Sequence, residues 1–183
     1  MELSKQDIEE GRKLLQKSRE IKDLWTILVR EILSGVPQNI ETCYERCCRE
    51  ILAVSPEKIN EESVISILKK NGYRFPKKKG EKLAEVAKIY FKNNGDRLKL
   101  IGRLAYRIGR KSFDLILEDL GDDDAVAVDR HVARFFNLES DRKIGIGNKT
   151  YDEAQRMVRK LAREKNEKPA VIERAIWRFM KKS

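Results

Sequence analysis

The stretch that decides the fold is Ala105-Tyr106-Arg107-Ile108-Gly109-Arg110-Lys111-Ser112-Phe113, which leads into an apolar helical segment. A helix that begins at Gly109 offers free backbone N–H groups to an anion, and glycine lets the backbone approach a phosphate closely. Six basic residues and no acidic residue lie between Arg97 and Ser112. This part of the chain is therefore the best candidate for an edge that faces a DNA backbone.

A second informative stretch is Ala127-Val128-Asp129-Arg130-His131-Val132, in which Asp129 stands 18 positions after Lys111. An aspartate that follows an apolar pair and precedes a helical segment is typical of a helix N-cap. Local sequence alone favours an ordinary cap, whereas the pairing with Lys111 favours a catalytic carboxylate. His131, the sole histidine, is interpreted as a partly buried residue that orients the Asp129 turn rather than as a general base.

Hydrophobic periodicity predicts an all-α protein of about nine helices. Apolar residues recur at helical spacing, while strand signals are almost absent. The stripe of Trp25, Leu28 and Ile32 is interpreted as core rather than as a stacking surface.

Helix starts are predicted from side chains that accept hydrogen bonds from the first N–H groups of a helix. Ser4, with Asp7 three positions later, predicts one start, and Asn60 predicts another. Thr150, with Glu153 three positions later, is interpreted as the cap of a third helix.

Composition favours a polyanionic partner, because 40 Lys and Arg residues against 30 Asp and Glu residues give a net charge of +10. A protein rich in stabilising surface charge has the same composition. No apolar run approaches the length of a bilayer span, and the N-terminus lacks a secretory pattern. We therefore expect a soluble, cytoplasmic protein with no membrane partner.

The three cysteines, Cys43, Cys47 and Cys48, fall in one predicted helix without a fourth ligand. This spacing argues against an iron-sulfur cluster and against a disulfide framework. We interpret them as core thiols and expect neither a metal nor an organic cofactor.

The two stretches around Lys111 and Asp129 resemble the signature of the helix-hairpin-helix-Gly/Pro-Asp superfamily of DNA glycosylases. In its bifunctional members, a Gly-hydrophobic-Gly hairpin precedes a Schiff-base lysine, and a Val-Asp-x-His-Val-like segment carries an aspartate one helix later. The resemblance implies that Lys111 is the nucleophile and Asp129 the catalytic carboxylate. It also implies that Arg107, Gly109 and Arg110 contact DNA, with Arg107 standing where the family has its first hairpin glycine.

Two further stretches narrow the resemblance to the archaeal-type 8-oxoguanine DNA glycosylase/AP lyases, which lack an iron-sulfur cluster. Asn71-Gly72-Tyr73-Arg74-Phe75, followed by Lys79, resembles a Gly-[His/Tyr]-Arg-[Phe/Tyr] segment of that family. Ala175-Ile176-Trp177 resembles its terminal helix. The resemblance implies that Trp177 lines the base pocket, together with Phe113 at a position where a small residue is usual.

The sequence departs from the family at the loop that fills the gap left by an extruded base, because Val36 stands where a polar residue is common. Gln38 or Asn39 is expected to serve there instead. Six residues follow Trp177, fewer than in the family. The altered end and Phe113 leave the identity of the lesion open.

The resemblance implies a single domain over residues 1–183, with two helical lobes and a hairpin at about 97–121. It implies a monomeric, nucleoid-associated prokaryotic enzyme that acts on double-stranded DNA containing a damaged base. The expected activity is excision of 8-oxoguanine through a lysine Schiff base, followed by β-elimination. The alternatives are the same chemistry on an oxidised pyrimidine and a non-catalytic DNA-binding module.

Overall fold

The computed structural model describes residues 1–34, 41–93, 97–104, 107–138 and 146–182, and those residues form helices and turns without any strand. The prediction of an all-α fold is confirmed. One 3-10 turn covers Pro56–Lys58, and the α-helices of the described ranges are ten where about nine were predicted. These helices are α1 (Lys5–Arg19), α2 (Leu24–Leu33), α3 (Glu41–Leu52), α4 (Glu61–Lys70), α5 (Pro76–Lys92), α6 (Arg97–Leu104), α7 (Arg110–Asp119), α8 (Arg130–Phe135), α9 (Asn148–Glu164) and α10 (Pro169–Lys182).

Three predicted caps are confirmed and one is wrong. Ser4 forms a capping box at α1, Asn60 accepts from the backbone N–H of Ser63 at α4, and Asp129 caps α8. Thr150 is not a cap, because α9 begins at Asn148 with Gly147 in the cap position. Glycine is well tolerated at a helix N-cap, so the helix starts upstream and Thr150 lies within its first turn.

The chain divides into two compact units, one of Met1–Ile21 with Phe113–Ser183 and the other of Lys22–Ser112. In the first unit α1 packs against α10 at Gly11. A Cβ atom placed on Gly11 would lie 2.6 Å from the carbonyl oxygen of Val171 and 2.9 Å from the Cβ of Ala175. Only glycine therefore permits this close approach. The core of the unit is formed by Val126, Val128, Val132, Phe135, Tyr151, Ala154, Val158, Ile172 and Ile176, among others.

The second unit is built around α2, which packs against α3 and α5. Trp25, Leu28 and Ile32 are buried, and the Trp25 ring lies 5.4 Å from the ring of Tyr90, centroid to centroid. The interpretation of this stripe as core is confirmed. Buried apolar side chains occur along the whole of α2: Trp25, Ile27, Leu28, Val29, Ile32 and Leu33.

The thiols of α3 contribute to the same core. Cys47 and Cys48 are buried, and the Sγ of Cys43 donates to the carbonyl oxygen of Asn71 at 2.9 Å. Burial raises the pKa of Cys47 to about 12 and the pKa of Cys48 to about 11. All three are free cysteines, as the interpretation of core thiols requires.

Candidate active site

Lys111 is the second residue of α7, and it directly follows a turn that requires glycine at position 109. The backbone N–H groups of Arg107 and Ile108 both donate to the carbonyl oxygen of Leu104, at 2.8 and 3.2 Å. Gly109 then adopts a φ of +81°, in the left-handed region that side chains disfavour. No atom lies within 4 Å of the position that a Cβ on Gly109 would occupy, so backbone conformation, not space, requires glycine. The helix begins at Arg110, one residue later than predicted.

This turn is fixed from both sides. The side chain of Ile108 is buried, and the Nζ of Lys82 donates to the Ile108 carbonyl oxygen at 2.9 Å. Arg107 is exposed and forms an ion pair with Glu85, with 2.9 Å between Nη1 and Oε1. An exposed pair of this kind contributes little to stability, about 0–1 kcal/mol, so the guanidinium is available for exchange with another anion.

Lysine ammonium groups lie at the C-terminal end of α2 and beside the turn that precedes α7. The Nζ of Lys79 donates to the carbonyl oxygens of Ile32 and Ser34 at the C-terminal end of α2. Burial, and then the positive charges of Lys82 and Lys111, lower the pKa of Lys79 to about 8. The second unit therefore concentrates positive charge beside Lys111.

Phe75 has an unusual backbone and a large exposed ring. It is the N-cap residue of α5, with φ 63° and ψ 48°, and its side chain is 56% exposed. The guanidinium carbon of Arg74 lies 4.9 Å from the centre of the ring. A left-handed conformation in a residue other than glycine costs about 1–3 kcal/mol and is concentrated at functional sites. Phe75 is not among the site residues predicted from the sequence, although an aromatic residue directly before Pro76 was the available signal.

Asp129 caps α8 with one carboxylate oxygen. Its Oδ1 accepts from the backbone N–H groups of His131 at 2.8 Å and of Val132 at 3.1 Å. The side chain is half-buried, as is that of His131. The backbone N–H of His131 therefore helps to orient the Asp129 carboxylate.

The residues directly before Asp129 are buried and lie outside the helices, in a protein whose described residues form no sheet. Val126, Ala127 and Val128 are each at most 1% exposed. The backbone N–H of Ala127 donates to Glu118 Oε1 at 2.8 Å, and that of Val128 donates to the hydroxyl of Tyr151 at 3.2 Å. Side chains therefore replace the neighbouring strand that such a segment would otherwise need.

Glu118 belongs to a buried charged cluster in the first unit. Its Oε2 lies 3.1 Å from Nε of Arg174, and the same Nε lies 3.6 Å from Glu173 Oε2. Nη2 of Arg174 lies 3.0 Å from Asp119 Oδ1. Burial and the negative charge of Glu173 raise the pKa of Glu118 well above its ordinary value, against the opposing effect of Arg174. Burial beside Glu173 therefore disfavours the charged form of Glu118.

The two predicted pocket residues both belong to the first unit. Trp177, on α10, is half-buried, and the Nζ of Lys181 lies 4.1 Å from its ring centre. Phe113, on α7, is also half-buried. Lys111 belongs to the second unit and Asp129 to the first. Gln38 and Asn39 lie outside the described residues.

The described ranges contain neither a cluster of metal ligands nor a helix that could span a membrane. They contain no group of three or more His, Cys, Asp or Glu side chains arranged to hold a metal ion. None of the helices in those ranges is both long enough and apolar enough to cross a membrane.

Comparison with known proteins identifies one curated relative. No family model matches the chain. The 8-oxoguanine DNA glycosylase/AP lyase of Metallosphaera sedula is 32% identical over 132 residues. The match covers 63% of this chain and 62% of the relative, which is less than two thirds of the relative's length.

Solved structures give a likeness over nearly the whole chain. The 8-oxoguanine DNA glycosylase of Thermotoga maritima has a TM-score of 0.66 at 23% identity, over 97% of this chain and 88% of that one. The 8-oxoguanine glycosylase/lyase of Methanocaldococcus jannaschii, solved with a 15mer DNA containing 8-oxoguanine, has a TM-score of 0.70 at 21% identity, over 94% of this chain and 90% of that one. The chain therefore has the helical fold of these 8-oxoguanine DNA glycosylases, as the sequence resemblance implied.

Proposed function

We propose that this protein is a bifunctional DNA glycosylase and AP lyase that excises 8-oxoguanine from double-stranded DNA. The observation that carries the proposal is the pair of Lys111 and Asp129 in a chain with this fold. Lys111 follows a glycine turn within a basic region, and Asp129 is held as a helix cap with its carboxylate oriented by two backbone N–H groups. The curated relative and the two structures are each named for activity on 8-oxoguanine.

The turn around Gly109 is proposed to bind the DNA backbone. Phosphate oxygens accept from backbone N–H groups at the start of α7 and from the guanidinium groups of Arg107 and Arg110. Arg107 exchanges Glu85 for phosphate at little cost, because their ion pair is exposed. Gln38 or Asn39 fills the gap that the extruded nucleotide leaves in the duplex.

The extruded base is proposed to bind against aromatic rings. Trp177 and Phe113, both in the first unit, form walls of the pocket. In the second unit, the exposed ring of Phe75 is a separate stacking surface for a nucleobase. Stacking on an aromatic ring contributes about 1–3 kcal/mol per base and offsets part of the cost of unstacking.

The chemistry uses the two paired residues. The unprotonated amine of Lys111 bonds to C1′ while the N-glycosidic bond breaks, and the bonding pair leaves with the base, which takes up a proton. The Asp129 carboxylate stabilises the positive charge that develops on the sugar. A proton then passes from the lysine nitrogen to O4′ as the C1′–O4′ bond breaks, which opens the sugar ring and gives a Schiff base. Removal of a C2′ proton then expels the 3′ phosphate by β-elimination, and water releases Lys111.

Borohydride trapping tests the proposal. Wild-type protein should form a covalent complex with duplex DNA containing 8-oxoguanine after reduction, and Lys111→Gln should abolish it. The control is Lys160→Gln, which removes an equal charge from an exposed lysine on α9 and should trap as the wild type does. DNA binding by Lys111→Gln should fall only slightly, because one phosphate-proximal charge contributes little to affinity.

Single-turnover excision assays on several lesions, together with trapping, separate the alternatives. Faster excision of thymine glycol than of 8-oxoguanine in single-turnover assays would move the activity to an oxidised pyrimidine. Wild-type binding without trapping or excision on any lesion would leave a non-catalytic DNA-binding module. We further propose that residues 1–183 act as one monomeric domain with the hairpin at about 97–121, which sedimentation with and without DNA tests.

A further inference from the structure

The backbone immediately before Asp129 is held by side chains of the first unit that the chemistry above does not use. Val126 to Val128 are buried and belong to no helix or strand, so their backbone N–H and carbonyl groups need other partners. Tyr151 and Gln155, one turn apart on α9, reach this segment. They therefore fix the backbone at the residue that precedes the proposed catalytic carboxylate.

The contacts are specific to individual backbone groups. The hydroxyl of Tyr151 accepts from the N–H of Val128 at 3.2 Å, and Nε2 of Gln155 donates to the carbonyl oxygen of Val126 at 2.8 Å. Both α9 residues are at most 8% exposed. They lie on the same helical face as the apolar residues Ala154, Val158 and Ala162, where polar side chains are otherwise costly to bury.

Asp114 joins the two α9 residues. Its Oδ2 accepts from the Tyr151 hydroxyl at 2.6 Å and from Gln155 Nε2 at 3.0 Å. The Tyr151 hydroxyl also lies 3.5 Å from the carbonyl oxygen of Val126, a much longer contact. Asp114 therefore directs the hydroxyl proton toward itself, which leaves an oxygen lone pair of Tyr151 for the N–H of Val128.

We propose that Asp114, Tyr151 and Gln155 are positioning residues that set the place of the Asp129 carboxylate, and this inference rests on the proposed glycosylase function. The two backbone N–H groups of α8 fix the rotation of the carboxylate, while the three side chains fix the backbone from which it extends. The reaction rate falls steeply when a catalytic group is displaced by a fraction of an ångström. The role is thus distinct from the ordinary stability that buried hydrogen bonds provide.

The main test is Tyr151→Phe, which keeps the ring in the core and removes only the hydroxyl. Single-turnover excision of 8-oxoguanine should slow about tenfold, while the Kd for the same duplex stays within about twofold of wild type. Asp114→Asn keeps an oxygen that can accept both hydrogen bonds and should retain most of the rate. Asp114→Ala should lose at least as much rate as Tyr151→Phe.

The control for destabilisation is Val158→Ala, on the same helix and in the same core but outside the network. It should lower the melting temperature at least as much as Tyr151→Phe and leave the excision rate within about twofold of wild type. A double-mutant cycle then connects the network to the carboxylate. In an Asp129→Asn background, Tyr151→Phe should change the residual rate by less than about twofold, because a positioning residue acts through the group it positions.

The outcomes separate this inference from the function on which it rests. An active wild type with an unchanged rate in Tyr151→Phe would overturn the positioning role and leave the glycosylase function intact. So would equal slowing by Tyr151→Phe in the wild-type and Asp129→Asn backgrounds, or equal slowing by Val158→Ala. A wild type that excises no lesion would overturn the proposed function and this inference together.

Discussion

Replacing Asp129 with asparagine distinguishes a catalytic carboxylate from a helix cap. Asparagine keeps an Oδ1 atom that can accept from the N–H groups of His131 and Val132, which now bond at 2.8 and 3.1 Å. Loss of the negative charge at the start of α8 should cost only about 0.3–1 kcal/mol of stability. For a chain of this size, that cost lowers the melting temperature by about 1–4 °C. The geometry of the cap should therefore survive the substitution.

The excision rate should respond far more strongly than the stability. Removing one preorganised electrostatic contact to a transition state typically costs about 10²–10³ in rate, which corresponds to about 2.7–4 kcal/mol. The assay is single-turnover release of 8-oxoguanine from a labelled duplex, with thermal melting measured on the same samples. We expect a fall in rate of about that size in Asp129→Asn.

The chain supplies a matched control in Asp23, the exposed cap of α2, whose Oδ2 accepts from the N–H of Thr26 at 2.7 Å. Asp23→Asn makes the same chemical change at a cap outside the candidate site. It should lower the melting temperature similarly and leave the rate unchanged. If Asp129→Asn behaves as Asp23→Asn does, with full specific activity, then Asp129 is only a cap.

Four further predictions use separate features of the structure. Burial lowers the pKa of Lys79 from its ordinary value of 10.5 to about 8, so the unfolded chain binds more protons between these pH values and stability rises with pH there. The free energy of unfolding in urea, taken as wild type minus Lys79→Met, should therefore increase by about 2–3 kcal/mol from pH 8 to 10.5. A pH-independent difference would contradict the lowered pKa. Gly11→Ala should destabilise the protein by about 1–3 kcal/mol in the same unfolding assay, whereas the control Gly102→Ala, with nothing within 4 Å, should not destabilise it. Phe75→Gly should slow excision without lowering the melting temperature, since glycine adopts a left-handed φ without strain, and a normal rate would show that the ring does not stack on a base. Trp177→Ala should slow excision of 8-oxoguanine by about 5- to 100-fold, matching a stacking contribution of about 1–3 kcal/mol, and unchanged rates would make the indole a core residue.

Features with a local cause could be predicted from the sequence. The caps at Ser4, Asn60 and Asp129 depend on residues within three positions, and the structure confirms them. The apolar stripe at Trp25 is likewise set by helical periodicity. The prediction that Thr150 caps a helix was wrong because α9 begins two residues earlier, at Asn148, so the cap-like pattern at Thr150 lies inside the first turn.

Features that depend on distant contacts could not be predicted. The hydrogen bonds of Asp114 join residues 37 and 41 positions apart, and no local pattern specifies such partners. The available signal was polar character at Gln155, on a face of α9 that is otherwise apolar. The left-handed backbone of Phe75 could not be predicted either, because the residue before a proline is ordinarily extended.

The buried thiols of α3 have a consequence for a protein proposed to act on oxidised guanine. Such a protein is needed where oxidants are abundant, and cysteine is oxidised through its thiolate. With pKa values of about 12 for Cys47 and about 11 for Cys48, roughly one thiol in 10⁴ or fewer is ionised at pH 7. Two of the three cysteines are therefore shielded both from contact with peroxide and from the ionisation that peroxide requires. We therefore expect the oxidants that create the lesion to react slowly with this part of the core.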